Sequence, residues 1–540
     1  MESWDYIIVG AGSAGCVLAE RLSANGRHRV LVLEAGGRDT SPLIHMPKGI
    51  GKLALNPRHA WHYKVEQRRM PDVPSTESWV RGKGLGGSSS INGMIYVRGQ
   101  PEDYDAWEQH GATGWNWAAM KAAYQAIEDH ELGAGEGRGV GGPVHVSTGK
   151  YRYPLAEAMI AAGEQMGLRR KEDLNTEDQE GIGYYLHNIK DGRRQSASVV
   201  FLRPAEKRAN VRLMTGVEVD RIVFEGTRAV AVEATVKGTP QRFTVGGEVI
   251  LSAGAIVSPM ILQRSGVGAA EDLQPLGIRM VADRPAVGRH MRDHLGLSLP
   301  HRLVGAEGNN PEFRGLGLVR NVLRYYLSHT GPMATGPYEV GAFVRSHEAV
   351  TRPDLQLFWS AFTFKRTTNA NMPVQLSEVD DEPGMTLYGQ LIRLTSEGSI
   401  RISGASAAAA PIIEPNWLTT PEDVETAVAA VRYMRRILQQ PAIAPYVGEE
   451  LLPGPQYQSD EEIAEAVRLY GRCGTHAVGS CGMGGEDAVL DPELRVRGVS
   501  GVRVVDCSAM PSLISGNTNA PAMALGWRGA EIIQRGTNRH

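Results

Sequence analysis

The chain opens on a short unbroken apolar run. Tyr6-Ile7-Ile8-Val9 reads as a parallel strand buried on both faces. From Cys16 to Ala24, Val17, Leu18 and Leu22 recur at helical spacing, so a helix follows. Arg29 to Leu33 is a second strand, ending at Glu34. Gly181 to Arg194 reads as irregular or strand-rich. The runs VRLMTG, EVDRIVFEG and AVAVEATV between Val211 and Val236 have the character of strands. Glu248 to Gly254 is a further buried strand that ends in small residues, and Pro259 to Leu262 starts a helix that stops near Ser265-Gly266. The stretch IRLTSEGSIRIS predicts two strands joined by a turn at Glu397-Gly398. Glu422 to Leu438 carries Val424, Val428, Val431, Met434 and Ile437 on one helical face. Val502 to Val505 is a short strand ending at Asp506. Ala520-Pro521 then opens a helix to about Arg535, since proline is tolerated in a first turn.

The first strand and helix are joined by Gly10-Ala11-Gly12-Ser13-Ala14-Gly15, a G-x-G-x-x-G. Gly10 permits the tight turn, Gly12 lets backbone approach a pyrophosphate, and Gly15 lets helix and strand pack closely. The helix N-terminus offers free N–H groups to phosphates, and Glu34 stands where a carboxylate accepts ribose hydroxyls. Strand, glycine turn, helix, strand and acid, with the acid about 20 residues on, read as a dinucleotide site. The motif alone leaves NAD and FAD open, and Glu34 repels the 2′-phosphate of NADP. Residues 81–99, RGKGLGGSSSINGMIYVRG, are stripped of bulk. Clustered glycine costs backbone entropy, so it meets a geometric demand, here a backbone pressed against something large and flat. Ser252 to Gly254 is a second stretch small enough to lie against a cofactor.

Composition narrows the picture. The 540 residues are 42% hydrophobic and 22% charged with net charge −3, ordinary for a soluble globular chain. There is no general attraction to nucleic acid or anionic membrane, and no basic stripe with interleaved aromatics, so no nucleic-acid partner is expected. No run of about 18 apolar residues occurs. MESWDYIIVG has neither a positive n-region nor a long apolar h-region. The expected location is the cytoplasm, with peripheral association with the inner membrane left open. Cys16, Cys473, Cys481 and Cys507 form no CxxC pair, so neither a zinc site nor a disulfide framework is indicated. Residues 296–465 lack the glycine-rich turns and read as mixed strand and helix, a second domain that carries specificity. Gly133–Gly142 reads as a flexible loop.

Two C-terminal segments complete the candidates: GTHAVGSCGMGG at 474–485 and GVRVVDCSAMPSLISGNTNAP at 501–521. Taken singly, His476 is most simply a hydrogen-bonded structural histidine and Asn519 a helix cap. The segments in this order, with GAGSAG, the 81–99 loop, GAIVSPMILQRSGVG at 254–268 and VGRHMRDH at 287–294, resemble the glucose–methanol–choline (GMC) oxidoreductase family over nearly the whole chain. The branch looks closest to choline-dehydrogenase-like and aliphatic alcohol dehydrogenases.

The resemblance implies an α/β fold: a Rossmann-like FAD-binding domain with a discontinuous α+β substrate domain built on an antiparallel sheet. The implied division gives residues 1–153, 206–295 and 466–540 to the FAD-binding domain, and 154–205 and 296–465 to the substrate domain. It implies cofactor contacts at Gly10, Gly12, Ser13, Ala14, Gly15, Glu34, Ala35, Trp61, Arg81, Gly82, Gly86, Gly87, Ser88, Asn92, Gly93, Met94, Ile95, Val219, Ala253, Gly254, Asp506 and Asn517. Asp506 would hold the ribityl chain and Val219 would meet the adenine through its backbone. Gly82–Asn92 would be small because the flavin fills the space. Ile91 stands where some relatives carry a flavin-linked histidine, so non-covalent FAD is expected. By the same resemblance His476 is the catalytic base and Asn519 its partner.

The implied reaction is oxidation of a primary alcohol. His476 takes the hydroxyl proton, Asn519 and the new imidazolium stabilise the alkoxide, and hydride passes to flavin N5. The electron acceptor is a quinone, another carrier or O2, and the oligomeric state is not readable. A choline site needs an aromatic or acidic cage, for which Trp359, Phe362, Phe364 and Glu378 are candidates. A hydroxynitrile lyase that holds FAD without reducing it, and a non-catalytic flavoprotein, are the rival readings. An NAD-linked dehydrogenase is disfavoured by the second nucleotide contact zone at 82–92 and the C-terminal strand.

Overall fold

A computed structural model describes residues 3–70, 73–135, 137–365 and 378–537. Two seven-stranded sheets organise them. In the first, Val211–Thr215, Val30–Glu34, Ser3–Val9, Thr239–Leu251 and Val502–Val504 lie side by side in parallel. The strands Arg228–Val236 and Val217–Glu225 extend it antiparallel. Ile7, Ile8, Val32, Val249 and Ile250 are wholly buried, as expected of parallel strands covered on both faces. The helix Ser13–Ser23 supplies one cover, and the C-terminal helix Asn519–Thr537 packs on it, with Gly526 set against Ala14. The parallel strands share a direction, so Val9, Glu34, Leu251 and Val504 end at one edge. Open α/β sheets bind their ligands at such an edge.

The second sheet is antiparallel. Its order is Val447–Glu450, Leu295–Leu303, Gly384–Leu391, Leu355–Ser360, Val340–Val344 and Gly181–Tyr184, with Arg472–Cys473 beside Leu295–Leu303. The amphipathic pattern at 422–438 is realised as the helix Pro421–Leu438, with Val428, Val431, Met434 and Ile437 buried. Met434 lies against Gly389 on one face of this sheet. The other face carries Gln356, Phe358 and Tyr388.

Two expectations fail. The turn at Glu397-Gly398 joins no hairpin, because Ser399–Ile402 pairs with Pro411–Glu414 in a separate two-stranded sheet. Alternation within 392–403 could not show that the strand partner lies further on. The helix expected from Pro259 starts five residues earlier, as Gly254–Arg264, with Pro259 inside it. The proline removes the hydrogen bond that Ala255 C=O would accept, and Ser480 Oγ donates to that carbonyl instead, at 2.6 Å. Among the described residues no helix is long and apolar enough to cross a membrane.

Candidate active site

The nucleotide end of the site is built where backbone meets backbone. Gly10 has φ +100°, and a Cβ there would lie 2.5 Å from Ser252 O. A Cβ on Gly15 would lie 2.0 Å from Gly10 O, so the turn closes only with glycine. Gly12 caps the helix Ser13–Ser23 without a side chain. Ser13 Oγ donates to Asn519 Oδ1 at 2.8 Å, which ties this helix start to that of Asn519–Thr537. Neither first turn holds an acidic residue. Two positive helix ends therefore meet with no carboxylate on either first turn to neutralise them, an arrangement that fits a diphosphate.

Glu34 is buried at the edge of this zone. It accepts from the backbone N–H groups of Ala11 (2.9 Å), Gly36 (2.8 Å) and Gly84 (3.1 Å). Burial pushes its carboxyl above the usual range, against the pull of those three donors. Ala35 follows it directly. Asp506 is likewise buried and pushed up by burial. It accepts from Gly254 N–H and Ser258 Oγ on one oxygen and from Ser508 N–H and Oγ on the other. Both acids clamp loops at the strand ends. Ala253 caps the helix Gly254–Arg264, and its N–H donates to Ser258 Oγ. Val219 sits by a register irregularity, its carbonyl accepting from Arg264 at 3.4 Å.

Several glycines of the 82–95 loop are required where backbone packs on backbone. A Cβ on Gly82 would lie 2.2 Å from Gly87 C, one on Gly87 2.8 Å from Gly12 Cα, and one on Gly86 2.3 Å from Ser90 Oγ. Gly86 and Gly87 also hold left-handed φ of +88° and +52°. These glycines are demanded by the loop folding on itself and on the Gly12 turn. Ser88 Oγ accepts from Gly82 N–H. Gly93 faces Pro337, Ile95 bridges to His187, and Met94 holds φ +61° with its N–H donating to Asn92 Oδ1. Trp61 lies under the Lys83 ammonium, 3.8 Å from the ring centre, and Arg81 is its cross-strand neighbour. Ile91 packs with Ile44, Leu53 and Ala60.

Arg194 was not among the expected site residues. It is buried, and its guanidinium donates to Ile44 O, Ser89 O, Asn92 O and Asn92 Oδ1. Burial lowers its pKa to about 9. A buried cation held by carbonyls fixes the far end of this loop, and sequence spacing gives no hint of that contact.

His476 lies at the junction of the two sheets, inside a chain of hydrogen bonds. His294 Nε2 lies 3.0 Å from Ile514 O, a group that can only accept. Burial lowers the pKa of His294 to about 4, so the ring is neutral and its proton sits on Nε2. Its Nδ1 then has only a lone pair to offer to His476 Nδ1, 3.0 Å away. His476 must donate there from Nδ1. Burial also holds the His476 imidazole well below its ordinary range, with His294 and Arg81 adding to the shift, so Nε2 is left as a free base. That Nε2 accepts from Asn517 Nδ2 at 3.2 Å. Asn517 Oδ1 in turn accepts from Gln356 Nε2 at 2.9 Å, which fixes the orientation of the amide. The backbone is held as well. Asp293 accepts from His476 N–H at 2.7 Å and from Cys473 Sγ at 3.1 Å, with Arg81 Nη2 3.6 Å away. Thr475, just before His476, has φ +64°.

The expected pairing of His476 with Asn519 is therefore not what the structure contains. Asn517, two residues earlier and expected at the cofactor, meets His476, while Asn519 meets Ser13. The segment Gly516-Asn517-Thr518-Asn519 offers two asparagines, and only the turn between them decides which one faces the sheet. Asn519→Ala is expected to weaken FAD retention by about two- to tenfold while the loaded enzyme is reduced by substrate at an unchanged rate; Asn517→Ala should do the reverse. FAD titration and single-turnover reduction of both variants measure this. His294 and Asp293 end the VGRHMRDH motif, whose sequence gives neither of them a role. Gln356 gave no signal in sequence.

The four candidates for an ammonium cage converge only in part, Phe362 and Phe364 meeting edge to face with ring centres 5.3 Å apart. Glu378 is exposed and 3.8 Å from Lys365. Trp359 takes the face of its strand opposite Gln356 and Phe358. Phe362 already receives the buried Lys48 ammonium, 5.5 Å from its ring centre. Beside the His476 network stands a different wall. Tyr338, Phe358 and Tyr388 have ring centres 5.4 to 6.3 Å apart, and Gln390 Nε2 donates to Tyr388 Oη.

The GMC oxidoreductase family models match residues 4–296 and 395–526. The chain is 39% identical over 543 residues to the mitochondrial choline dehydrogenase of Homo sapiens, covering 99% of this chain and 90% of that one. It is 39% identical over 541 residues to the alcohol dehydrogenase [acceptor] of Pseudomonas putida, covering 98% and 96%. The oxygen-dependent choline dehydrogenase of Brucella suis is 37% identical, covering 98% and 95%. Among solved structures, pyridoxine 4-oxidase from Mesorbium loti superposes with TM-score 0.87 at 30% identity, each chain fully covered. Formate oxidase superposes with TM-score 0.91 at 24% identity over 100% and 99%, a likeness of fold. With the two meeting helix ends, the buried Glu34 and the His476 network at one edge of the parallel sheet, these matches make the chain a member of the GMC oxidoreductase family, an FAD enzyme acting on CH–OH donors.

Proposed function

We propose that the chain oxidises an uncharged primary alcohol to the aldehyde, with His476 Nε2 as the base. The observation that carries this is the ordered chain from Ile514 O through His294, His476 and Asn517 to Gln356, which leaves one unprotonated ring nitrogen beside one amide donor. A substrate hydroxyl bound there gives its proton to His476 Nε2, and its oxygen accepts from Asn517 Nδ2 as negative charge develops. The His476–His294 bond keeps the receiving nitrogen free before the step and holds the ring afterwards. FAD, when bound, supplies the two-electron acceptor for the hydride of the carbinol carbon. Ile91 at the loop position favours a non-covalent cofactor, which heat or acid would release intact. The family implies that the segments at 10–15, 82–95 and 506–519 hold it.

Gln356→Leu frees the Asn517 amide to turn over. The expected result is a fall in kcat/KM of about three- to tenfold with FAD content unchanged, measured by steady-state kinetics on the loaded enzyme.

The neutral aromatic wall of Tyr338, Phe358 and Tyr388 supports an alcohol with an apolar or aryl substituent. A buried carboxylate nearby in sequence, Glu339, lies 3.9 Å from the Lys48 ammonium, and burial pushes its pKa up to about 7. Choline is the second reading, favoured by the choline dehydrogenases among the relatives. We infer an acceptor other than oxygen, a quinone or carrier, in line with the name of the Pseudomonas relative. Turnover of choline, its neutral isostere 3,3-dimethylbutan-1-ol and benzyl alcohol, each in air and with a soluble quinone, tests both points. Higher kcat/KM for the neutral alcohols and turnover that needs the quinone are expected. Preference for choline, or full turnover in air alone, overturns the corresponding part.

A further inference from the structure

The helix Gly315–Ser328 is apolar on two sides. Its inner side packs Leu318, Val322 and Tyr325 against Met46, Met333 and Ala334, and Tyr325 Oη donates to His45 O at 3.1 Å. Its outer side presents Leu316, Val319, Leu323, Tyr326 and Leu327 to solvent, with Leu316 87% and Leu327 86% exposed. The other exposed large hydrophobics among the described residues are Leu55, Val140, Val304 and Ile412, none more than 55% exposed, so more than half of the set sits on one helix. Scattered surface apolar residues need no explanation, but a stripe at i, i+3, i+7 and i+11 on a single helix does.

We propose that this face docks the protein on an anionic phospholipid bilayer. Arg320 and Arg324 are exposed on the same helix, which contains no acidic residue. The hairpin Ile189–Arg194 adds the exposed Lys190 and Arg193, and its Gly192 abuts His329 O at the helix end. Leucines rimmed by arginine are the composition of a helix lying in a membrane interface. Charge argues against a second copy of the chain, since a two-fold contact through this helix sets Arg320 and Arg324 against their own mates. Area argues the same way. A 14-residue helix is about 21 Å long. A stripe about 10 Å wide along it offers roughly 200 Å², well under the roughly 800 Å² per partner of a stable interface. The net charge of −3 sets no bar, because the cations are local. The segment after the helix runs to Pro337, which touches Gly93 of the glycine-rich loop. Docking thus sets the bilayer beside an element that borders the site. The docking itself does not depend on the alcohol reading.

The test is co-sedimentation of the FAD-loaded protein with vesicles of phosphatidylcholine alone or mixed with phosphatidylglycerol. The native protein is expected to pellet with the mixed vesicles, at least about tenfold more tightly than with phosphatidylcholine alone. L323Q/L327Q should bind both at least about tenfold more weakly. R320Q/R324Q should lose only the preference for phosphatidylglycerol. Flavin absorbance and turnover of a water-soluble alcohol should be native in both variants. Native protein that stays in the supernatant, or pelleting that L323Q/L327Q does not weaken, overturns the proposal. So does light scattering that shows an oligomer which L323Q/L327Q dissolves, since the face then belongs to a second copy.

Discussion

His476→Ala is expected to slow reduction of the bound flavin by alcohol by about 10²–10⁴-fold, the range that a positioned general base contributes. FAD should remain bound, because the cofactor contacts implied at 10–15, 34 and 506 do not involve this ring. The reason for so large an effect is that the site offers no substitute. His294 has its only protonatable lone pair committed to His476, and Asn517 is an amide. The same burial fixes the pH dependence. The base works only when neutral, and burial holds its proton affinity well below that of ordinary imidazole. The reductive rate should therefore be flat from neutral pH upward and be lost only on acidification through the lowered pKa. Rapid mixing without oxygen, following the visible flavin band, measures both. A rate in His476→Ala within tenfold of the native one removes the base from this residue.

The second large effect is expected at His294, whose ring meets Ile514 O and His476 Nδ1. His294→Leu leaves the His476 Nδ1–H buried without an acceptor, and an unmade buried hydrogen bond costs about 1–3 kcal/mol. The ring relieves that by moving its proton to Nε2, where it can no longer accept one from substrate. We expect kcat to fall about ten- to a hundredfold with KM little changed. Serine proteases show how heavily a wrong tautomer can weigh. His294→Asn keeps an acceptor oxygen near the place of Nδ1 and should recover most of the loss. A residue of purely structural value would lose KM, FAD content and stability together, and Asn would not rescue it. Equal damage from Leu and Asn would count against the positioning role.

The nucleotide end was legible because its chemistry is local. Gly10, Gly12, Gly15 and Glu34 sit within one strand–turn–helix–strand unit, where spacing along the chain becomes spacing in the fold. The buried parallel strands were legible for the same reason. Chemistry that depends on contacts distant in sequence was not. His476 meets His294 across 182 residues, and Asn517 meets Gln356 across 161. Two asparagines separated by one residue were indistinguishable until the turn at 516–519 turned one toward the sheet and the other toward Ser13. The glycines at 82–87 were read as a geometric demand, and at Gly82 and Gly87 part of that demand comes from other backbone. Proline at 259 looked like a helix start, because the hydroxyl that satisfies the freed carbonyl, Ser480, is far along the chain.

The most direct test of the whole account is the absorption spectrum of the purified protein, taken without oxygen before and after a primary alcohol is added. In the native protein, oxidised flavin bands are expected that bleach with neutral primary alcohols. In His476→Ala, bands of the same height are expected to stay oxidised. Flavin bands that no alcohol bleaches, with cleavage of a cyanohydrin instead, would contradict it and make the chain a lyase on this fold.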